Sequence, residues 1–192
     1  MNIERNITAC FTGGRPKSLY PTYAYAQSRT IDYSNMIANI AATVTELYLK
    51  RGIKIYISGG AQGFDQLAFR AVESVKRQHP DIKNIVYIPF NKQESMWADT
   101  GLFSKQEYHW MLSKADWVKV CTEIDPTVVA YNDVVKALFT RNECMCNDSK
   151  IVIGQFPDDI SWHDKSIKGG TAGCLRYAES KDLELIVKDF RP

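Results

Sequence analysis

Short apolar runs alternate along this chain with longer stretches in which apolar residues recur every three or four positions, the pattern of strands interleaved with amphipathic helices. Ile7 to Phe11 reads as a first strand. Asp32 to Arg51 carries Met36, Ile37, Ile40, Ala41, Val44, Leu47 and Tyr48 on one helical face, and Gly52 is a natural stop. Ile53 to Ile57 is a second strand, followed by a helix from about Phe64 to Gln78 that turns Leu67, Ala68, Ala71, Val72 and Val75 inward. Asn84 to Ile88 and Trp117 to Cys121 are further strands, with a short helix between them near Ser104 to Ser113. A helix over Tyr131 to Asn147, a strand at Ile151 to Ile153, a helix over Gly173 to Lys181 and a last strand at Leu185 to Val187 complete the series. This rhythm predicts an α/β, Rossmann-like open sheet, mostly parallel, with helices on both faces.

Three stretches break the rhythm and read as insertions within a single domain spanning residues 1–192. The first, near 17–30, holds Tyr20, Tyr23 and Tyr25, whose rings suit a base or a partner subunit. The second, near 91–103, holds Met96 and Trp97 and reads as a flap. The third, near 157–168, is polar and carries Trp162 and His163.

Composition narrows the class. Hydrophobic residues make up 45% and charged residues 24% of 192, as in an ordinary globular domain, and the net charge of +2 gives no electrostatic footprint for nucleic acid or a membrane surface. The N-terminus has no basic start followed by an apolar run, and no apolar stretch reaches the roughly 18 residues of a membrane span, so a cytoplasmic location is expected. Cys10, Cys121, Cys144, Cys146 and Cys174 are odd in number and scattered, which fits a reducing compartment. Neither their spacing nor that of His79, His109 and His163 suggests a metal site, and no cofactor is expected.

Glycines gather where the predicted strands end. Ser58-Gly59-Gly60-Ala61-Gln62-Gly63-Phe64-Asp65 joins a strand to a helix, where glycine permits positive φ and the helix N-terminus favours an anion. Thr12-Gly13-Gly14-Arg15 follows the first strand, and Arg15 is suited to a two-pronged phosphate contact. Lys168-Gly169-Gly170-Thr171 precedes the helix bearing Arg176 and Glu179, and Thr171 could equally cap that helix or bond a ligand. In an open parallel sheet such loops lie beyond the carboxyl ends of the strands, beside the point where strand order reverses. None matches the dinucleotide or P-loop fingerprints. A helix running from the ligand edge toward the next strand would bring Asn132 nearer to that edge than Arg141, unless it runs across the crevice, and spacing alone leaves both open.

Cys10-Phe11-Thr12-Gly13-Gly14-Arg15-Pro16 resembles the C-F-T-G-H-R-P opening of the YpsA-like branch of the SLOG superfamily, with Gly14 in place of the usual histidine. Ile57 to Asp65, Ile88-Pro89-Phe90 with Gln93 and Trp97, Arg141-Asn142 with Met145 and Ser149, and Gly169 to Ala172 with Arg176-Tyr177-Ala178 continue the resemblance in order. The superfamily includes DprA-like binders of single-stranded DNA, cytokinin-activating phosphoribohydrolases and sensors of NAD or ADP-ribose derivatives. Arg141 and Met145 are similar to the R-K-x-x-M of the phosphoribohydrolases, but Ala172, Gly173 and Cys174 stand where their P-G-G-x-G-T-x-x-E signature has its acid.

The resemblance therefore implies a binder of a nucleotide derivative, such as an adenine nucleotide, NAD or an ADP-ribose derivative, acting as a sensor or sequestering protein and as a homo-oligomer. Its expected ligand residues are Thr12, Gly13, Gly14, Arg15, Ser58, Gly59, Gly60, Gly63, Asp65, Trp97, Arg141, Gly169, Gly170 and Thr171. The alternatives are a nucleoside 5′-monophosphate phosphoribohydrolase with Asp65 or Glu179 as a displaced acid, and a DprA-like DNA binder, which the near-neutral charge disfavours.

Overall fold

The computed structural model describes residues 2–19, 33–98 and 103–191. Its elements run β1 (Thr8–Thr12), α1 (Pro16–Leu19), α2 (Ser34–Arg51), β2 (Ile55–Ser58), α3 (Phe64–Lys76), β3 (Lys83–Ile88), α4 (Lys105–Lys114), β4 (Trp117–Val120), α5 (Tyr131–Asn147), β5 (Ile151–Gln155), α6 (Gly170–Ser180) and β6 (Glu184–Lys188). The strands form one six-stranded sheet in the order β4-β3-β2-β1-β5-β6, and every pairing is parallel. The chain builds outward from β1 through β2 and β3 to β4, then returns across the molecule to place β5 on the other side of β1. The order therefore reverses between β1 and β5.

Side-chain alternation along the strands feeds two cores. Ala9, Phe11, Tyr56, Ile151 and Ile153 pack under α2 and α3 on one face. Cys10, Ile57, Tyr87 and Val152 pack under α5 and α6 on the other. Strands β1, β2 and β5 are buried along their whole length, whereas edge strands β4 and β6 are only partly so, which is why the inner strands read as unbroken apolar runs. Gly52 ends α2 as expected, in the left-handed conformation at φ 66°.

The structure departs from the expected boundaries in two places that matter for the site. Helix α6 opens at Gly170, three residues before the predicted start. Strand β5 runs on to Gln155, because Gly154 leaves room for Leu175, whose Cδ2 would stand 2.8 Å from an added Cβ. Of the first irregular stretch, residues 17–19 belong to α1, with Leu19 in the core, while Tyr20, Tyr23 and Tyr25 lie outside the described residues. The second contains a 3-10 turn over Gln93–Met96. Among the described residues no helix is long and apolar enough to cross a membrane.

Candidate functional site

A cavity of about 540 Å³ opens beside the β1/β5 reversal, within the size range of small-molecule sites. The loop after β1 contributes Thr12, Gly13, Gly14 and Arg15, the end of β5 contributes Gln155, and the start of α6 contributes Gly169, Gly170 and Thr171. Helix α5 closes one side with Val135, Leu138, Phe139, Arg141 and Asn142.

At the floor Asp65 pairs with Arg141 at 3.1 Å, both side chains less than a tenth exposed, and Asp65 also accepts the Ala61 amide at 3.2 Å. Gly59 makes this pair possible: a Cβ there would fall 1.2 Å from Nη1 of Arg141. Nε of Arg141 has no hydrogen-bond partner among the described residues. Arg15 opens onto the same cavity and has no carboxylate within ion-pair distance among the described residues. Arg15 is exposed by surface area, yet the protein around its guanidinium lowers its pKa, first by desolvation and then by the like charge of Arg141, with Asp65 pulling the other way. With Lys168 at the rim, three cations face the single carboxylate Asp65 among the described lining residues.

The three glycine loops serve different ends. In the first two, glycine is mainly a packing requirement. A Cβ on Gly13 would strike the Phe64 ring at 2.3 Å, and one on Gly63 would approach the Gly14 carbonyl oxygen to 2.5 Å. The two loops are laced together by the Phe64 amide donating to the Gly14 carbonyl at 3.1 Å, and Gln155 accepts the Gly14 amide through Oε1 at 3.3 Å. Gly60, at φ 69°, would bring a Cβ to 3.1 Å from Gln93, Met111 and Val86. In these loops the amides of Gly14, Ala61 and Phe64 are thus engaged within the protein.

The third loop is open. Gly169, at φ 137°, has nothing within 4 Å of a built Cβ, and Gly170 only Nδ2 of Asn142 at 3.9 Å. The amides of Gly170, Thr171 and Ala172 open α6 toward the cavity with no acceptor among the described residues, as helix geometry leaves them. Because Gly169 is the N-cap, Thr171 does not cap the helix and lines the cavity instead. Asn142 donates to the Gly170 carbonyl at 3.4 Å and ties the loop to α5.

The stretch 157–168 forms a wall of the cavity through Pro157, Ile160 and Ile167. Arg176 holds it by donating to the carbonyls of Trp162 at 2.7 Å, Ile167 at 3.2 Å and Asp164 at 3.4 Å. His163 stacks on Trp162, with ring centroids 3.6 Å apart, and meets Glu179 at 3.1 Å.

Several expected site residues lie elsewhere. Trp97 packs edge-on against Tyr108 at 5.1 Å, in a core cluster with Phe69, Val86 and Met111, and does not line the cavity. Ser58, Gly59, Gly60 and Gly63 do not line the cavity; the three glycines shape loop packing and the Arg141 pair, and the Ser58 hydroxyl is buried with no hydrogen-bond partner among the described residues. Glu179 is half exposed and engaged with His163 on the outer part of α6. Asn132 is exposed, while Arg141 reaches the cavity, because α5 lies across the crevice. Gln155, Leu138 and Phe139 were not anticipated. Gln155 would have followed from carrying β5 through Gly154, whereas the two apolar residues look like ordinary core positions.

Known proteins support the same architecture. The uncharacterized SPbeta prophage-derived protein YoqJ of Bacillus subtilis is 31% identical over 148 residues, which cover 75% of this chain and 80% of that protein. A UPF0398 protein of Lysinibacillus sphaericus is 31% identical over 77 residues, 40% of this chain and 41% of that protein. Among solved structures, DNA processing protein A (DprA) from Streptococcus pneumoniae is similar in fold at a TM-score of 0.53 and 14% identity, over 94% of this chain and 49% of that one. The YpsA family model, described as the YspA SLOG family, matches residues 11–187, nearly the whole chain from the end of β1 to β6, and the chain belongs to that family.

Proposed function

We propose that the chain binds a nucleotide derivative (an adenine nucleotide, NAD or an ADP-ribose derivative) by its phosphate and retains it uncleaved, as a sensor or sequestering protein. The observation that carries this reading is Arg15, which has no counter-charge of its own among the described residues and faces the same cavity as the unengaged amides of Gly170, Thr171 and Ala172. A helix N-terminus and an arginine with no carboxylate partner among the described residues together favour an anion. A phosphate would supply the charge that the corner lacks.

Thermal unfolding with a panel of these nucleotides tests the reading. A ligand at a hundred times its Kd adds about 2.7 kcal/mol, or roughly 5–10 °C in Tm for a chain of this size. Arg15→Ala should abolish most of that shift while leaving the ligand-free Tm nearly unchanged. A transition that no nucleotide moves at millimolar concentration rules the reading out.

A second reading, hydrolysis of the N-glycosidic bond, draws on Asp65 as the carboxylate of the lining. Its Oδ2 takes both the Arg141 guanidinium and the Ala61 amide, which favours a structural role. Release of free base from AMP, lost in Asp65→Asn, would establish hydrolysis instead. For DNA, the likeness to DprA concerns fold; retention of a labelled oligonucleotide at low salt would be needed to support it. Self-association is also proposed, supported by the exposed Val128, just before α5, and Tyr131, its first residue, and light scattering measures it.

A further inference from the structure

Helix α5 presents a graded wall to the cavity. Val135, Leu138, Phe139, Arg141 and Asn142 fall on one helical face that spans about 10 Å along the axis. Its C-terminal end is charged, where Arg141 meets Asp65, and its N-terminal end is apolar. At that apolar end Phe139 is 42% exposed, and Ile160, from the separate wall held by Arg176, is 43% exposed. Both line the cavity. Large apolar side chains brought to one cavity from two different elements and left uncovered mark a surface that an occupant covers.

A phosphate held at Arg15 and the α6 amides would cover neither of them. The Phe139 ring lies over the first turn of α6, its Cε1 3.1 Å from where a Cβ of Gly173 would stand, so it sits directly beside the open amides. A nucleoside phosphate fits an occupant with an anion at one end and an apolar face within about 10 Å, since its base has apolar faces and polar edges.

Resting on the nucleotide reading above, we infer that the base of the ligand lies against Phe139 and is recognised by its face, which makes Phe139 the residue that separates nucleotides from simple sugar phosphates. Isothermal titration of the full chain with AMP and with ribose 5-phosphate tests this. The wild type binds AMP more tightly, Phe139→Ala weakens AMP on the order of ten-fold, Phe139→Trp restores it, and the affinity for ribose 5-phosphate is the same in all three. Denaturant unfolding of each variant controls for folding.

If the wild type binds AMP but Phe139→Ala binds it equally well, or loses both probes in equal proportion, the inference fails while the phosphate reading stands. If the wild type binds neither probe, the phosphate reading fails and takes the inference with it.

Discussion

The corner where the Gly13-Gly14 and Gly59-to-Gly63 loops meet and the loop at Gly169-Gly170 look alike in composition and behave as opposites. In the corner, added Cβ atoms would strike the Phe64 ring, the Gly14 carbonyl oxygen or the Arg141 guanidinium. At Gly169 and Gly170 they would meet open space or a single distant amide. The corner uses glycine to bring the chain close to itself, and the result is a buried ion pair with an arginine beside it. The other loop leaves room for something else. Glycine richness therefore identifies where the backbone must be unobstructed, and the surroundings decide whether protein or ligand takes the space.

The largest effect that would test this contrast is at Gly59. Gly59→Ala should drive Arg141 from its place and leave Asp65 buried without its partner, at a cost of about 3–5 kcal/mol in denaturant unfolding. Asp65→Asn removes the same pair from the other side, so the double variant should cost clearly less than the sum of the two singles. Additive losses would mean that Gly59 and the ion pair are independent, and the corner would lose its explanation.

Gly63→Ala comes next. The residue holds φ 99°, and the nearest obstacle is the backbone oxygen of Gly14, which cannot rotate away as a side chain would. About 2–3 kcal/mol should be lost. Retained stability would show that the two loops can separate.

Gly170→Ala should act in the reverse sense. Its φ is ordinary and it stands in the first turn of a helix, so alanine should raise stability by about 0.5–1 kcal/mol. The added methyl group would enter the cavity, however, and the nucleotide-induced shift in Tm should shrink. A more stable protein with a weaker ligand response is the signature that separates the open loop from the corner.

Much of the framework was legible in the sequence. The alternation of strands and helices yielded the sheet, Gly52 marked the end of α2, and α5 has the predicted limits Tyr131 and Asn147. The site was legible as a place, at the carboxyl ends of the strands, and less so as a list. Glycine has no side chain whose chemistry could announce a packing role, so Gly59 and Gly63 read as ligand contacts. Arg141 was expected at the site from the family resemblance, while spacing alone put Asn132 nearer the ligand edge, because a helix's path across a sheet is decided by packing that periodicity does not record. Trp97, in a polar irregular stretch, looked free to stack, while its partner Tyr108 lies on an element eight residues further along the chain.

The smallest expected effect belongs to Glu179, which the family resemblance offered as a displaced acid. It lies eight residues beyond Thr171, about 12 Å along α6, and faces His163 on the outer surface. With both partners more than half exposed, their ion pair is screened by water and contributes little. Glu179→Gln should therefore shift stability by less than about 0.5 kcal/mol and leave the nucleotide response unchanged. Glu179 touches the 157–168 stretch only through the exposed His163 side chain, whereas Arg176 makes the hydrogen bonds to its backbone, so loss of this carboxylate should leave the wall in place. A variant that kept its fold but lost its ligand would show that Glu179 acts on the site from the outer half of α6, and the contrast between the open loop and the corner would no longer account for binding.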